Sequence, residues 1–214
     1  MTAPSTPTRI ALLGAESTGK STLAASLADS LRTAGLSVAL VPEFLREWCH
    51  ERGRVPLPHE QLGIAEEQAR RVMETRDVDI VIADTTPVMT AVYSDKLFGD
   101  RSLYPFALEH QRVYAATLLT GLDLPWVADG LQRDGPQVRG PVDAMVRAAL
   151  VAGGIGWRVV YGGGEARLAA ALSALGTLAA GAAPPLPATT TADWVCVNCD
   201  NAACERRLFS RLRT

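Results

Sequence analysis

The segment GAESTGKST at residues 14–22 has the residue types and spacing of a phosphate-binding loop, G-x-x-x-x-G-K-[ST]. In such a loop the backbone N–H groups, here those from Glu16 to Ser21, point at phosphate oxygens, and the positive N-terminus of the next helix adds to the attraction. Lys20 would reach the β- and γ-phosphates, and the Ser21 hydroxyl would ligate Mg²⁺. We therefore predict a site for ATP and Mg²⁺. Its nucleotide-binding residues are Gly14, Ala15, Glu16, Ser17, Thr18, Gly19, Lys20, Ser21 and Thr22.

The residues on either side of this loop predict the strand and the helix that it requires. Residues 9–13 form a short apolar run, which favours a buried parallel strand. After the loop, Leu23, Leu27 and Leu31 recur every four residues and so share one helix face, and Gly35 ends the helix. Strand, loop and helix in this order are the context in which the motif binds phosphate.

The rest of the chain alternates predicted strands with predicted helices. Strands separated by helices imply right-handed crossovers and a parallel sheet covered on both faces. We therefore expect an α/β fold of the P-loop NTPase class, with a five-stranded parallel sheet in the order 2-3-1-4-5 found in nucleotide kinases. The further strands are predicted at 36–41, 78–84, 117–122 and 156–163, and the further helices at 61–76, 104–116 and 164–179.

Charged residues follow the second and third predicted strands. Glu43 and Arg46 come after the second, and Asp84 ends the third. Ligands of open parallel sheets bind beyond the carboxyl ends of the strands, so one carboxylate could hold Mg²⁺ and one could accept a proton from an attacking hydroxyl. Each residue could also be a surface charge, and Asp84 could cap the next helix.

The segment from residue 129 to 143 differs from its surroundings. It holds three glycines, two prolines and two arginines, Arg133 and Arg139, with little apolar content. That composition suits a lid whose arginines close over transferring phosphates. The alternative is an ordinary polar loop.

Several function classes are disfavoured by features that the sequence lacks. There is no Asn-Lys-x-Asp motif of GTPases, and the third strand ends in Asp84-Thr85 where motor ATPases commonly carry Asp-Glu. A net charge of −2 does not predict a nucleic-acid surface. The chain shows neither a secretory signal nor an apolar run long enough to span a bilayer, so we expect a soluble, cytoplasmic protein. Phosphoryl transfer to a small acceptor is favoured.

Five segments, in sequence order, resemble one family. GAESTGKSTLAASLA, VPEFLREW, EEQAR, DTTPVMTAVYSDKLFG and LPWVADGLQRDG are similar to the P-loop kinase-like family typified by the ribosylnicotinamide kinase domain of bacterial bifunctional NAD-biosynthesis proteins, an AAA-type ATP-binding domain. The resemblance runs from about residue 8 to 180. It implies ATP- and Mg²⁺-dependent phosphorylation of a ribosyl hydroxyl, in nicotinamide riboside or another nucleoside.

The resemblance also implies roles for individual residues. Glu43 is the first candidate for the general base, with Asp84 the alternative, or a residue that binds acceptor hydroxyls or assists Mg²⁺. Trp126 could stack on a base or pyridinium ring, or belong to the core. The expected catalytic residues are Lys20, Glu43, Asp84, Arg133 and Arg139. The expected acceptor-site residues are Glu43, Arg46, Gln68, Asp84, Tyr93 and Trp126.

The C-terminal part has a separate character. We divide the chain into a kinase-like domain at 8–180, a Pro- and Ala-rich connector at 181–193 and a cysteine-containing tail at 194–214. Clustered cysteines in a cytosolic chain suggest zinc more than a disulfide. The tail supplies three of the four ligands that a structural zinc site needs; Cys49, His50 or a partner subunit would add the fourth, and the alternative is three reduced thiols. These cysteines are Cys196, Cys199 and Cys204.

Two functions remain open from the sequence. The first is a small-molecule kinase with a nucleoside-like acceptor. The second is a regulatory ATP-binding module whose nucleotide state controls partner docking through the tail. A nucleic-acid-associated ATPase is a third alternative, and an oligomeric state is compatible with the sequence.

Overall fold

A five-stranded parallel sheet forms the centre of the fold. The computed structural model describes residues 6–127 and 135–179. The strand order is β2-β3-β1-β4-β5, and every neighbouring pair is parallel. The sheet order and the fold class are therefore those that the sequence predicts. The strands are β1 (Thr8–Leu13), β2 (Val38–Val41), β3 (Ile80–Asp84), β4 (Ala116–Thr120) and β5 (Arg158–Val160).

Helices cover both faces of this sheet. Leu12 of β1 and Leu118 of β4 belong to a core with residues of α1 and α7, whereas Leu13 and Leu119 belong to a core with α4 and α6. Successive residues of a strand point to opposite faces, so one strand supplies both cores. The helices are α1 (Lys20–Thr33), α2 (Phe44–Arg52), α3 (Gln61–Glu74), α4 (Pro87–Phe98), α5 (Tyr104–Gln111), α6 (Arg139–Ala152) and α7 (Gly164–Ala179).

The register of the sheet brings the ends of its three inner strands together. Leu12 of β1 is paired with Asp84 of β3 on one side and with Leu118 of β4 on the other. All five residues of β1 after Thr8 are buried. The loop that follows β1 therefore emerges between the carboxyl ends of β3 and β4.

Two boundaries differ from the sequence-based prediction. The predicted helix at 104–116 ends at Gln111, because Ala116 already pairs with Ile10 as the first residue of β4. The predicted loop at 129–143 was wrong from Arg139 onward, where α6 begins. The apolar residues that bury this helix, Val142 and Val146, are spaced four residues apart. Its one proline, Pro141, lies in the first turn, where helices tolerate proline.

Some predictions concern residues outside those that the structure describes. The connector at 181–193 and the tail at 194–214 are among them, and so is Arg133 of the predicted lid. Among the helices of the described residues, none has the length and apolar character needed to cross a membrane.

Candidate functional site

The loop between β1 and α1 carries three residues with positive φ angles. These are Gly14 at 146°, Ser17 at 55° and Gly19 at 75°. At Gly14 a Cβ atom would lie 2.1 Å from Oγ1 of Thr120, which is far inside van der Waals contact. Glycine is therefore required at the first position by both its φ angle and its close approach to β4.

Lys20 begins α1 and turns back over this loop. Its Nζ donates hydrogen bonds to the carbonyl oxygens of Gly14 at 2.8 Å and Ala15 at 2.9 Å. The ammonium group therefore lies at the mouth of the loop, beside the N-terminus of the helix, where backbone N–H groups lack partners within the helix. Positive charge and free amide donors together fit the phosphates of a nucleotide.

A cavity of about 500 Å³ opens over the loop. The Ser21 hydroxyl, predicted to ligate Mg²⁺, lies on its wall. The residues present thus fit a phosphate chain with its Mg²⁺, since the cavity combines an ammonium, a hydroxyl and a helix N-terminus. Its lining residues are Ser17, Thr18, Gly19, Lys20, Ser21, Thr22, Arg46, Leu124, Pro125 and Val127.

Two buried hydroxyls, of Thr18 in the loop and Thr120 in β4, hold the loop by hydrogen bonds. The Thr18 hydroxyl donates to the carbonyl oxygen of Ala15 at 2.7 Å, and it lies 2.7 Å from the hydroxyl of Thr120. Thr120, the last residue of β4, also lies 3.1 Å from the carbonyl oxygen of Leu13. The shape of the loop is therefore set by β4 as well as by its own residues.

Arg167 of α7 supports the loop from the side, and sequence reasoning missed it. Its side chain is 4% exposed and donates to the carbonyl oxygens of Thr18 and Gly162, the latter at 2.6 Å. It also forms an ion pair with Asp123, 2.6 Å from Oδ1, while Oδ2 of Asp123 accepts from the Gly162 N–H. An arginine in the otherwise apolar stretch ARLAAALSALG is the one signal that could have revealed it.

Glu43 and Arg46 meet at the wall of the cavity. Glu43 directly precedes α2, and its Oε2 lies 3.2 Å from Nη2 of Arg46, which lines the cavity. The structure thus places a cation of the cavity lining in contact with the carboxylate predicted to be the general base.

Gln68 of α3 is bonded to the backbone next to Glu43. It is 1% exposed, its Oε1 accepts from the N–H of Phe44 at 2.7 Å, and its Nε2 donates to the carbonyl oxygen of Pro42 at 3.3 Å. Both ends of the amide are thus bonded to backbone on either side of Glu43, and a role of Gln68 in the acceptor pocket stays a prediction.

Asp84 lies at the end of β3, beside the strand that leads into the loop. It is 5% exposed, and its Oδ1 has no hydrogen-bond partner among residues 6–127 and 135–179. It does not cap α4, because the hydroxyl of Thr86 accepts from the N–H of Val88 in that position. The next residue, Thr85, has a φ of 84°, which is strained for a β-branched side chain. Backbone strain of this kind is concentrated at functional sites.

A family model described as an AAA domain matches residues 9–167, most of the chain. The chain belongs to this family. No curated protein matches its sequence.

Two solved structures share the fold of this AAA domain. One is titled a NadR protein in complex with NR, with a TM-score of 0.66 and 17% sequence identity over 85% of this chain and 54% of that chain. The other, a NadR protein in complex with NAD and AMP-PNP, has a TM-score of 0.61 and 18% identity over 79% of this chain and 48% of that chain. This AAA domain thus spans about half the length of the NadR chains, and the predicted resemblance is confirmed.

The other predicted site residues of the AAA domain lie on α4, on α6 and in the segment after β4. Tyr93 of α4 is half-buried against the core. Trp126 is also half-buried, and its Nε1 has no hydrogen-bond partner in the described part of the chain. Arg139 is buried and donates to the carbonyl oxygens of Leu124 at 2.8 Å and Leu122 at 3.3 Å. It therefore braces the segment after β4, and its predicted role as a lid cation stays a prediction.

The zinc prediction stays a prediction, because Cys196, Cys199 and Cys204 lie outside the described residues. Of the two proposed fourth ligands, Cys49 is buried beside Trp48 and His50 is exposed.

Proposed function

We propose that this chain is an ATP- and Mg²⁺-dependent kinase that phosphorylates a ribosyl hydroxyl of a nucleoside-like acceptor, with nicotinamide riboside as the leading candidate. The observation that carries the proposal is the contact between the Glu43 carboxylate and Arg46 on the wall of the cavity over the phosphate-binding loop. The NadR structures solved with NR and with AMP-PNP support it through their shared fold.

The residues of the loop would hold the phosphate donor. Lys20 would move from the carbonyl oxygens of Gly14 and Ala15 to the β- and γ-phosphates, and Ser21 would contribute its hydroxyl to Mg²⁺. When bound, Mg²⁺ would neutralise charge on the phosphates.

Glu43 would act as the general base. As the acceptor oxygen forms its bond to the γ-phosphorus, the bond to the β-phosphate oxygen breaks, and the carboxylate takes the acceptor proton. Arg46 would orient that carboxylate through the ion pair and place a cation at the cavity wall.

Asp84 and Trp126 would recognise the acceptor. The buried Oδ1 of Asp84 can accept a hydrogen bond from a ribose hydroxyl, and the buried N–H of Trp126 can donate one. An unpaired buried polar atom costs about 1–3 kcal/mol, so a ligand that pairs these atoms recovers that cost. A ribosyl group supplies hydroxyls that both donate and accept.

The test is a transfer assay with purified protein, Mg²⁺, ATP and a panel of nucleosides that includes nicotinamide riboside, with products identified by mass. We expect a phosphorylated product whose formation matches the ADP released. Glu43→Gln should lower kcat by about 10²- to 10⁴-fold, the usual contribution of a general base. Glu51→Gln, on the exposed surface of α2, is the control and should stay within about twofold of wild type.

The outcomes separate the two functions that the sequence leaves open. ATP binding without product from any acceptor would contradict the kinase and favour the regulatory ATP-binding module. Unchanged acceptor-dependent turnover in Glu43→Gln would move the role of base to Asp84.

A further inference from the structure

Gln68 holds the backbone on both sides of Glu43. Its side-chain amide pairs with the carbonyl group of Pro42 and with the N–H group of Phe44, at 3.3 and 2.7 Å. An amide is a side chain that carries one acceptor oxygen and donor hydrogens at a fixed separation. Beyond the end of β2, the amide therefore pairs with a backbone donor and a backbone acceptor, as a neighbouring β-strand would.

The segment held by Gln68 has few other restraints of its own. Strand β2 ends at Val41, Pro42 has no N–H to donate, and α2 begins only at Phe44. Glu43 therefore lies in the short connection between β2 and α2. Among the described residues, the hydrogen bonds that reach the backbone of this connection from elsewhere in the chain come from Gln68. Buried amides cost free energy unless both ends are bonded, so this arrangement depends on both bonds.

Helix α3 gives the clamp a rigid base. Gln68 lies on its buried face with Ala65 and Val72. On the same helix, the guanidinium of Arg71 donates hydrogen bonds to both carboxylate oxygens of Glu47 in α2, at 2.6 and 2.9 Å. It also lies 4.4 Å from the ring centre of Phe44. The start of α2 is therefore fixed to α3 at several points, and Gln68 is the point that bonds to the backbone on either side of Glu43.

We propose that Gln68 is a positioning residue that sets the direction of the Glu43 carboxylate by fixing the peptide groups on either side of it. The proposal rests on the proposed function, in which Glu43 is the general base. Gln68 is not among the described residues that line the cavity over the phosphate-binding loop. Its loss should therefore lower kcat and leave both KM values nearly unchanged, because a displaced base slows proton transfer without weakening ground-state binding.

The test compares Gln68→Met with Gln111→Met. Gln111 is equally buried, and its amide also makes one accepted and one donated bond, to Thr86 at 2.7 Å and Thr117 at 3.0 Å. We expect Gln68→Met to lower kcat by about 10- to 100-fold, the scale of a misplaced catalytic group. Gln111→Met should stay within about threefold, with both variants measured where they are fully folded.

A double-mutant cycle shows whether the effect passes through Glu43. In the Glu43→Gln background, Gln68→Met should change kcat by less than about threefold, because the group that it positions is gone. An undiminished loss in that background, an equal loss in Gln111→Met, or a change confined to KM would each overturn the proposal.

Hydrogen exchange tests the clamp without any variant. The Phe44 amide hydrogen should exchange far more slowly than an unstructured amide, because Gln68 accepts its hydrogen bond. An unprotected Phe44 amide in a wild-type protein that forms product overturns the clamp alone. A wild-type protein that forms no product contradicts the proposed function, and the positioning role falls with it.

Discussion

At the scale of single residues, the phosphate-binding loop depends on polar groups that lie far from it in sequence. Arg167 is 149 positions from Thr18, and Thr120 is 102 positions from the same residue. Both are buried and bonded to the loop. The sequence motif supplies the residues that would meet phosphate, while distant residues hold those groups in place.

Arg167→Met should weaken nucleotide binding about tenfold or more, because charged hydrogen bonds contribute about 1.5–3 kcal/mol each. It should also destabilise the fold, since Asp123 loses its buried counter-charge. Calorimetric titration with ATP and thermal unfolding measure the two effects. Arg147→Met is the control, because Arg147 pairs with Asp143 at 2.6 Å within α6; it should leave ATP affinity unchanged. Equal ATP affinity in Arg167→Met and wild type would contradict the role of Arg167.

Gly14→Ala should destabilise the fold by about 2–4 kcal/mol through steric overlap and backbone strain. The new Cβ would lie 2.1 Å from Oγ1 of Thr120, and the φ angle of 146° disfavours any residue with a side chain. Urea unfolding measures the loss. A value below about 0.5 kcal/mol would show that β4 yields and that the loop is less tightly held than its contacts indicate.

At the scale of elements, the sequence predicts well what is local. The phosphate-binding loop with its strand and helix, the five strands and the last helix all follow from spacing and apolar periodicity. The carboxylates Glu43 and Asp84 are also placed at strand ends as predicted. Because the strands are parallel, their carboxyl ends lie at the same edge of the sheet, so both carboxylates are expected at that edge.

Hydrogen bonds that join residues far apart in the chain are what the sequence pattern did not show. Gln68 and Phe44 are 24 positions apart, so nothing in the pattern of α3 shows that the amide is already engaged. Arg139 was assigned to a lid from the glycines and prolines around it, yet its side chain is buried against Leu122 and Leu124. Composition describes how readily a segment moves, but it does not show which side chain is held by distant carbonyl oxygens.

Helix α3 offers a test of how much a glycine inside a helix costs in stability. Gly63 is a helical residue, and a Cβ added there meets nothing within 4 Å. Gly63→Ala should therefore raise the free energy of unfolding by about 0.5–1 kcal/mol, because alanine loses less backbone entropy on entering a helix. Chemical denaturation measures the gain, and Gly14→Ala is the comparison with the opposite sign. A destabilised Gly63→Ala would show that this surface of α3 is covered by a contact outside the described residues.

At the scale of the whole molecule, the stability should depend on pH through different groups in two ranges. Burial, with a smaller contribution from Arg9, lowers the pKa of His110 from 6.5 to about 4. Hydrogen bonds from arginines lower the pKa values of Glu60 and Glu67 from 4.5 to about 2. The lowered pKa of His110 therefore changes the stability between pH 6.5 and 4, and the lowered pKa values of Glu60 and Glu67 change it below pH 4.5.

For His110 the unfolded chain binds the proton more tightly than the folded one. Its neutral form is therefore favoured in the fold, and stability is full above pH 6.5 and falls as the pH drops toward 4. We expect a loss of about 3 kcal/mol over this range, at 1.36 kcal/mol for each pKa unit. Urea unfolding at several pH values should show a flatter profile for His110→Gln, whereas His59→Gln, on the exposed surface, should keep the wild-type slope. Identical slopes for all three proteins would contradict the assignment.

The central position of β1 has a consequence for synthesis. Within this sheet, β1 has no neighbour to pair with until residues 80–84 of β3 exist, and its other partner begins at Ala116. A growing chain therefore carries its phosphate-binding loop for 102 residues beyond Thr18 before Thr120 is present to shape it, and for 149 residues before Arg167 is present. Nucleotide can stabilise the finished domain by mass action, but it has no formed site on the nascent chain, so early folding must proceed without help from ATP.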